Sequence, residues 1–289
     1  MSGEQPPYSW TEAEKDLMEG IDTTIPHSAR IWNYWLGGKD NYPVDREAGE
    51  QFVQVFPGIV AEARANRQFL ARAIHYLVTE ADIDQFLDVG TGLPTVDNTH
   101  EVLQRLDPAC RIVYIDNDPL VLAHARALLT STPEGVTDYV DADLRDPDKI
   151  LDTAAGTLDF SQPIALILSG IMGHVADNEA AHEIVCRLVD RLPSGSYLML
   201  QDGTIVSQEN ADALEDCTKA ARSPTICAPR NRSPISSQAW TWLNQASCRS
   251  RHGGLMSIPP NQRRTWIRSA ASAASGKTQR GEMGSCGWR

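Results

Sequence analysis

Five short apolar runs, Phe86–Val89, Ile112–Ile115, Val136–Val140, Ile164–Leu168 and Tyr197–Leu200, alternate with helical patterns at His100–Leu106, Pro119–Leu129 and Glu179–Arg191. Strands alternating with helices predict a mostly parallel sheet covered by helices on both faces, because each crossover returns the chain to the same end of the sheet. Upstream the rhythm is helical. Asp45–Phe56 and Ile59–Thr79 read as helices, the second with apolar positions at Phe69, Leu70, Ala73, Ile74 and Leu77. Before them, the aromatic-dense segment Ile21–Tyr42 holds a helix over Ala29–Leu36 that Gly37-Gly38 breaks. Residues 1–20 read as a flexible lead-in, 21–80 as a helical layer and 81–215 as the sheet domain.

Composition narrows the function classes. A net charge of −12 argues against a general nucleic-acid surface, which needs clustered Lys and Arg. No apolar run approaches the roughly 20 residues of a membrane span, and the acidic start MSGEQPPYSWTEAEKD does not read as a secretory signal. Six irregularly spaced cysteines give neither a disulfide framework nor a paired zinc pattern. A cytoplasmic protein without a metal is the expectation.

The charge is unevenly spread. Residues 1–215 carry 36 acidic and 14 basic side chains, net −22, whereas residues 216–289 carry 2 and 12, net +10. A nucleic-acid- or membrane-binding tail, a solvated terminus and a shifted reading frame each account for such a break. The genetic code favours the third. Written in G/C-rich codons and read from the third base, Ser223–Pro234 yields A-Y-H-L-R-T-P-E-Q-I-A, a helix start with Thr, Pro and Glu in capping order. Gln238–Gly254 treated likewise yields a Leu/Val-rich strand pattern, L-D-L-V-E-P-G-V-V.

The chemistry concentrates where strands end. FLDVGTGLPT carries Asp88, then Gly90 and Gly92 in the turn that follows, where a side chain would keep a ligand from the backbone. Thr95 occupies the third-glycine position of a dinucleotide fingerprint, which disfavours pyrophosphate recognition. RIVYIDND ends in Asp116, placed to accept both hydroxyls of a ribose, while Asp118 with Pro119 reads as a helix cap. Asp143 in YVDADLRDP is a candidate for an adenine amino group with Leu144 covering the ring, and Asp141 and Asp146 read as solvated. The fourth run ends in Ser169-Gly170-Ile171-Met172-Gly173-His174.

Together these elements resemble the Rossmann-like S-adenosylmethionine-dependent methyltransferases. The chain is most similar to an actinobacterial S-adenosyl methyltransferase family formerly catalogued as a domain of unknown function. The motifs that carry the likeness are IPHSARIWNYWLGGKDNYPVDR, ARANRQFL, FLDVGTGLPT, HEVLQ, VYIDNDP, YVDADLRDP and QDGT, over roughly residues 21–204. The resemblance implies S-adenosyl-L-methionine as cofactor. Asp88, Gly90 and Gly92 would lie along its methionine side, Asp116 at the ribose, and Asp143 with Leu144 at the adenine, with Asn117 and Ser169 as further cofactor-binding candidates. It also implies an N-terminal helical lid contributing Arg30, Tyr34 and Arg67, with Lys39, Asp40, Asn41, Arg64 and Asn66 as further lid candidates. Trp32, Tyr34 and Trp35 read equally well as core aromatics.

Methyl transfer is an in-line displacement in which the protein mainly aligns its reactants. His174 and then Asp40 are the candidate bases for a small-molecule acceptor. Relatives carry H-L-R-x-P-E-Q-I and L-V-E-P-G-V-V segments after QDGT, so the altered tail predicts a missing C-terminal strand hairpin. A donor-binding protein without turnover is the alternative, and a nicotinamide-dependent oxidoreductase a less favoured one.

Overall fold

The alternation of side chains along the five apolar runs decides how the sheet is sandwiched. A computed structural model of the chain describes residues 22–94, 97–128, 130–175, 177–202, 254–257 and 265–267. Strands β1 (Gln85–Val89), β2 (Arg111–Asp116), β3 (Val136–Asp141), β4 (Ala165–Ser169) and β5 (Tyr197–Gln201) pair in parallel in the order β3-β2-β1-β4-β5. Leu87, Val89, Val113, Ile115, Leu166, Leu168, Leu198 and Leu200 point to one face. Phe86, Ile112, Tyr114, Ala165, Ile167 and Met199 point to the other. The period of two gives a strand two buried faces only when both sides are apolar, which is why the runs are continuous rather than alternating.

Helices fill both sides. α6 (Pro147–Ala154) and α7 (Asn178–Asp190) cover the first face through Ile150, Leu151, Ile184, Val185 and Leu188. The long helix α3 (Ile59–Thr79) covers the second with Phe69, Leu70, Ala73, Ile74 and Leu77, joined by Leu103 of α4 (Thr99–Leu106). Asn98 and Glu101 form a capping box that starts α4. Asp146 accepts the Lys149 amide and Pro147 opens α6. α5 (Pro119–Leu128) crosses between β2 and β3.

The N-terminal layer is α1 (Ser28–Trp35) and α2 (Pro43–Val55) together with the first turns of α3. Ile31, Trp35, Phe52, Ile59 and Ala63 form its own small core. Arg30 and Asp45, both buried, hold it together. The Arg30 Nε lies 2.9 Å from Asp45 Oδ2, and the guanidinium also donates to the Ile25 carbonyl. The same carboxylate accepts the His27 and Tyr42 amides at 2.9 and 2.8 Å. One residue thus satisfies the start of two helices.

The expected absence of a C-terminal hairpin is corrected. Gly254–Ser257 (β6) pairs antiparallel with β5, and Thr265–Ile267 (β7) pairs antiparallel with β6. An uncovered β5 would expose a row of backbone amides and carbonyls, and β6 pairs with it along Tyr197–Leu200. The remainder of residues 203–289, including the shifted-frame segments up to residue 253, lies outside the described residues.

The clamp yields a first prediction. Replacing Asp45 by Ala strands the buried Arg30 charge and two helix-start amides, so unfolding stability in urea should fall by about 3–5 kcal/mol. Asp45→Asn should recover only part of that loss, because its single side-chain oxygen can still accept one of the two amides.

Candidate functional site

A parallel sheet sends every strand's C-terminal end to one edge, and the strand order reverses between β1 and β4, opening a crevice there. A cavity of about 340 Å³ occupies it. Its floor is the loops after β1, β2, β3 and β4, and its far wall comes from α1 and α3, including Trp32, Leu36, Asn66, Arg67 and Leu70.

The β1 loop is shaped by glycine. Gly90 and Gly92 have φ of +77° and +66°, conformations that L side chains rarely adopt. A Cβ on Gly90 would fall 2.4 Å from the Ile171 side chain, while one on Gly92 would meet nothing. The loop therefore packs closely at Gly90 and leaves open backbone at Gly92. The Gly90 amide donates to the Ile115 carbonyl at 2.8 Å.

Asp116 ties this loop to its neighbour. Its Oδ2 accepts the Gly92 amide and its Oδ1 the Asp118 amide, each at 3.0 Å. Burial raises its pKa, against the amides that favour the charged form. Each carboxylate oxygen has two lone pairs and here receives one amide. One acceptor position therefore remains on each, a pattern that fits a vicinal diol.

Asp88 lies deeper, 4% exposed. It accepts the Thr99 hydroxyl at 2.9 Å, and Arg67 acts on it electrostatically. Burial pushes its carboxyl up to about 6, although Thr99 and Arg67 both favour the charge. Behind it, the Tyr114 hydroxyl accepts the His100 amide at 2.6 Å, and the Tyr114 ring stacks on Tyr139 with centroids 4.8 Å apart. At the other end Asp143 accepts the Arg145 amide at 2.8 Å, and the Arg145 guanidinium and the Asn117 side chain at 2.9 Å each. Partial burial opposes its charge, but these donors outweigh it and hold the carboxyl below the usual range. The same Arg145 guanidinium nitrogen also reaches the other carboxylate oxygen at 3.3 Å. Leu144, 7% exposed, lies next to it in the cavity wall.

The structure brings Asp88, Gly90, Gly92, Asp116, Asn117, Asp143, Leu144, Ser169, Arg67 and His174 to this one cavity. His174 ends a single 3-10 turn, Met172–His174, just beyond β4, and its carbonyl accepts Arg145 at 3.1 Å. Arg30, Tyr34 and Asp40 do not line it. Arg30 is engaged by Asp45, the Tyr34 hydroxyl donates to Glu50, and the Asp40 amide is held by Asn33 Oδ1 at 3.0 Å. Arg64 is exposed, whereas Asn66 and Arg67, on the same helix, reach the cavity. Sequence reasoning missed His27 and Arg145, both in the lining. Arg145 carried a signal in its spacing two residues after Asp143. Among the described residues no group of three or more His, Cys, Asp or Glu side chains is placed to hold a metal ion. None of their helices is long and apolar enough to cross a membrane.

A parallel five-stranded sheet with a glycine loop and an acidic residue at successive strand ends is the arrangement of a Rossmann-like methyltransferase. The chain belongs to the S-adenosyl methyltransferase family, whose sequence model matches residues 14–237. A DUF574-family protein from Streptomyces avermitilis MA-4680 is 44% identical, with TM-score 0.69 over 76% of this chain and 83% of that one. A candidate methyltransferase from Thermobifida fusca YX is 38% identical, with TM-score 0.64 over 70% of this chain and 76% of that one. No protein of curated function gives a significant match. The cofactor is therefore S-adenosyl-L-methionine, and the nicotinamide-dependent alternative is set aside.

Asp88 gives a test with a definite sign. A carboxyl that titrates near 6 in the fold and near its ordinary 3.8 when unfolded loses its proton first in the unfolded chain. The native state is therefore penalised progressively as pH rises from about 4 to about 6, and the penalty persists above that. Asp88→Asn keeps an acceptor for Thr99 without the charge. Its thermal midpoint should exceed wild type at pH 7.5, and the difference should vanish near pH 4.

Proposed function

We propose that this chain binds S-adenosyl-L-methionine across the β1–β4 strand ends and methylates a small-molecule acceptor admitted against the α1 and α3 wall. Asp116 carries the proposal: its two oxygens are fixed by amides from two loops, with one acceptor position left on each. In this assignment Asp116 holds the ribose hydroxyls, with Asn117 beside them. The Gly90–Gly92 backbone, Asp88 and Ser169 line the methionine side. Asp143 and Leu144 take the adenine edge and face. Residues 22–80 form the acceptor-side layer and 81–202 the donor-binding core.

The bound cofactor supplies an electrophilic methyl group on a sulfonium. The chain's contribution is alignment and the exclusion of water, through rigid loops on one side and Trp32, Leu36 and Leu70 on the other. His174, on the β4 side of the same cavity, is the group assigned to take a proton from the acceptor. Asp40 is not assigned that role, because it does not line this cavity.

A second reading, donor binding without turnover, is favoured by the switch from net −22 to net +10 at residue 216. Isothermal titration of S-adenosylhomocysteine followed by a methyl-transfer assay in a cognate cell extract separates the two. Asp116→Ala should weaken binding about a hundredfold or more, since it removes two charged hydrogen bonds. Wild-type binding with methylated product supports the transferase, and binding without product supports the second reading. Absence of binding by folded protein overturns both.

A further inference from the structure

Asp118 is the joint between the donor loop and the N-terminal layer. Its amide donates to Asp116 Oδ1 at 3.0 Å, and its own Oδ1 accepts the Leu120 amide at 2.8 Å, starting α5. Its Oδ2 lies 2.9 Å from Nδ1 of His27. At that separation the ring and the carboxylate interact directly. Burial opposes the carboxylate's charge, yet His27, the Leu120 amide and the more distant Arg30 hold it below the usual range.

His27 is itself held firmly. Its amide donates to Asp45 Oδ1 at 2.9 Å and its carbonyl accepts Ile31 at 3.0 Å, so it sits at the start of α1 within the Arg30–Asp45 clamp. Two residues on, Ala29 packs against Leu93, Leu120 and Val121, which come from the β1 loop and from α5. A continuous line of contacts therefore runs from Arg30 through Asp45, His27 and Asp118 to Asp116 and Gly92.

We propose that His27 and Asp118 form a latch through which the N-terminal helices hold the ribose-binding carboxylate Asp116 in its donor-competent position. The inference rests on Asp116 being the ribose ligand. His27 is then a positioning residue, and the helical layer strengthens donor binding through this contact rather than through Arg30, Tyr34 or Asp40. The partial exposure of the pair, 39% and 11%, limits the effect of losing it to roughly fivefold in affinity.

The test is a double-mutant cycle read by isothermal titration of S-adenosylhomocysteine into the full chain. His27→Phe removes the ring nitrogens. Asp118→Asn removes the carboxylate charge while keeping a side-chain oxygen for the Leu120 amide. Each should weaken binding roughly fivefold, the pair together no more than either alone, and His27→Lys should restore most of the affinity by returning an N–H donor beside Asp118. Additive losses would mean that His27 acts independently of Asp118, and equal losses in His27→Phe and His27→Lys would mean that a nitrogen donor at this position is irrelevant. Either result overturns the latch, as does unchanged affinity in both single variants. Wild-type protein that binds no S-adenosylhomocysteine overturns the donor-site assignment and the latch with it.

Discussion

The carboxylate of Asp116 accepts one amide from the β1 loop and one from its own, and the geometry of the cavity depends on that double attachment. Gly92 takes a positive φ and offers its amide to a neighbouring strand's side chain, so the two loops move as one. A carboxylate desolvated in this way would be costly if its amides were missing. With them, it is fixed in place. The residue that stiffens the floor is thus also the one proposed to hold the ribose hydroxyls.

The rigidity below it comes from the sheet. Continuous apolar strands are pinned between α6 and α7 on one face and α3 and α4 on the other, leaving the strand ends little freedom. Asp88 is held in that frame, where burial outweighs Thr99 and Arg67 and pushes its carboxyl up to about 6. A donor site of this kind is pre-formed, which lowers the entropic cost of ordering it around a ligand. The helical layer is built differently. Its core is small, and one buried ion pair, Arg30 with Asp45, organises the helix starts.

The sheet was legible because its signal is local. All five apolar runs match their strands to within a residue at each end, and α3 matches its expected span, since strong periodicity needs no distant partner. Asp116, Gly90 and Gly92 were legible because topology alone puts strand ends together. Arg30 and Tyr34 fall outside the cavity lining, engaged instead by Asp45 and Glu50, which lie 15 and 16 residues away on another helix. Nothing in the local pattern distinguishes an arginine that clamps a helix from one that meets a ligand. His27 was hidden for the complementary reason: its role lies in a contact with Asp118, across the boundary between the helical layer and the sheet. β6 was obscured by a tail whose composition departs from the rest of the chain. Its pairing is carried by the backbone, which composition does not report.

The crevice therefore has one wall that belongs to the fold and one that belongs to this family's N-terminal helices, and only the first is shaped by strand ends. The most direct measurement of that division is a crystal structure of the full chain grown with S-adenosylhomocysteine. The account predicts ribose density within hydrogen-bond distance of both Asp116 oxygens, the adenine against Leu144, and the homocysteine end toward Gly90 and Asp88. Density for the nucleoside anywhere else, or a ribose that leaves Asp116 unengaged, would contradict it.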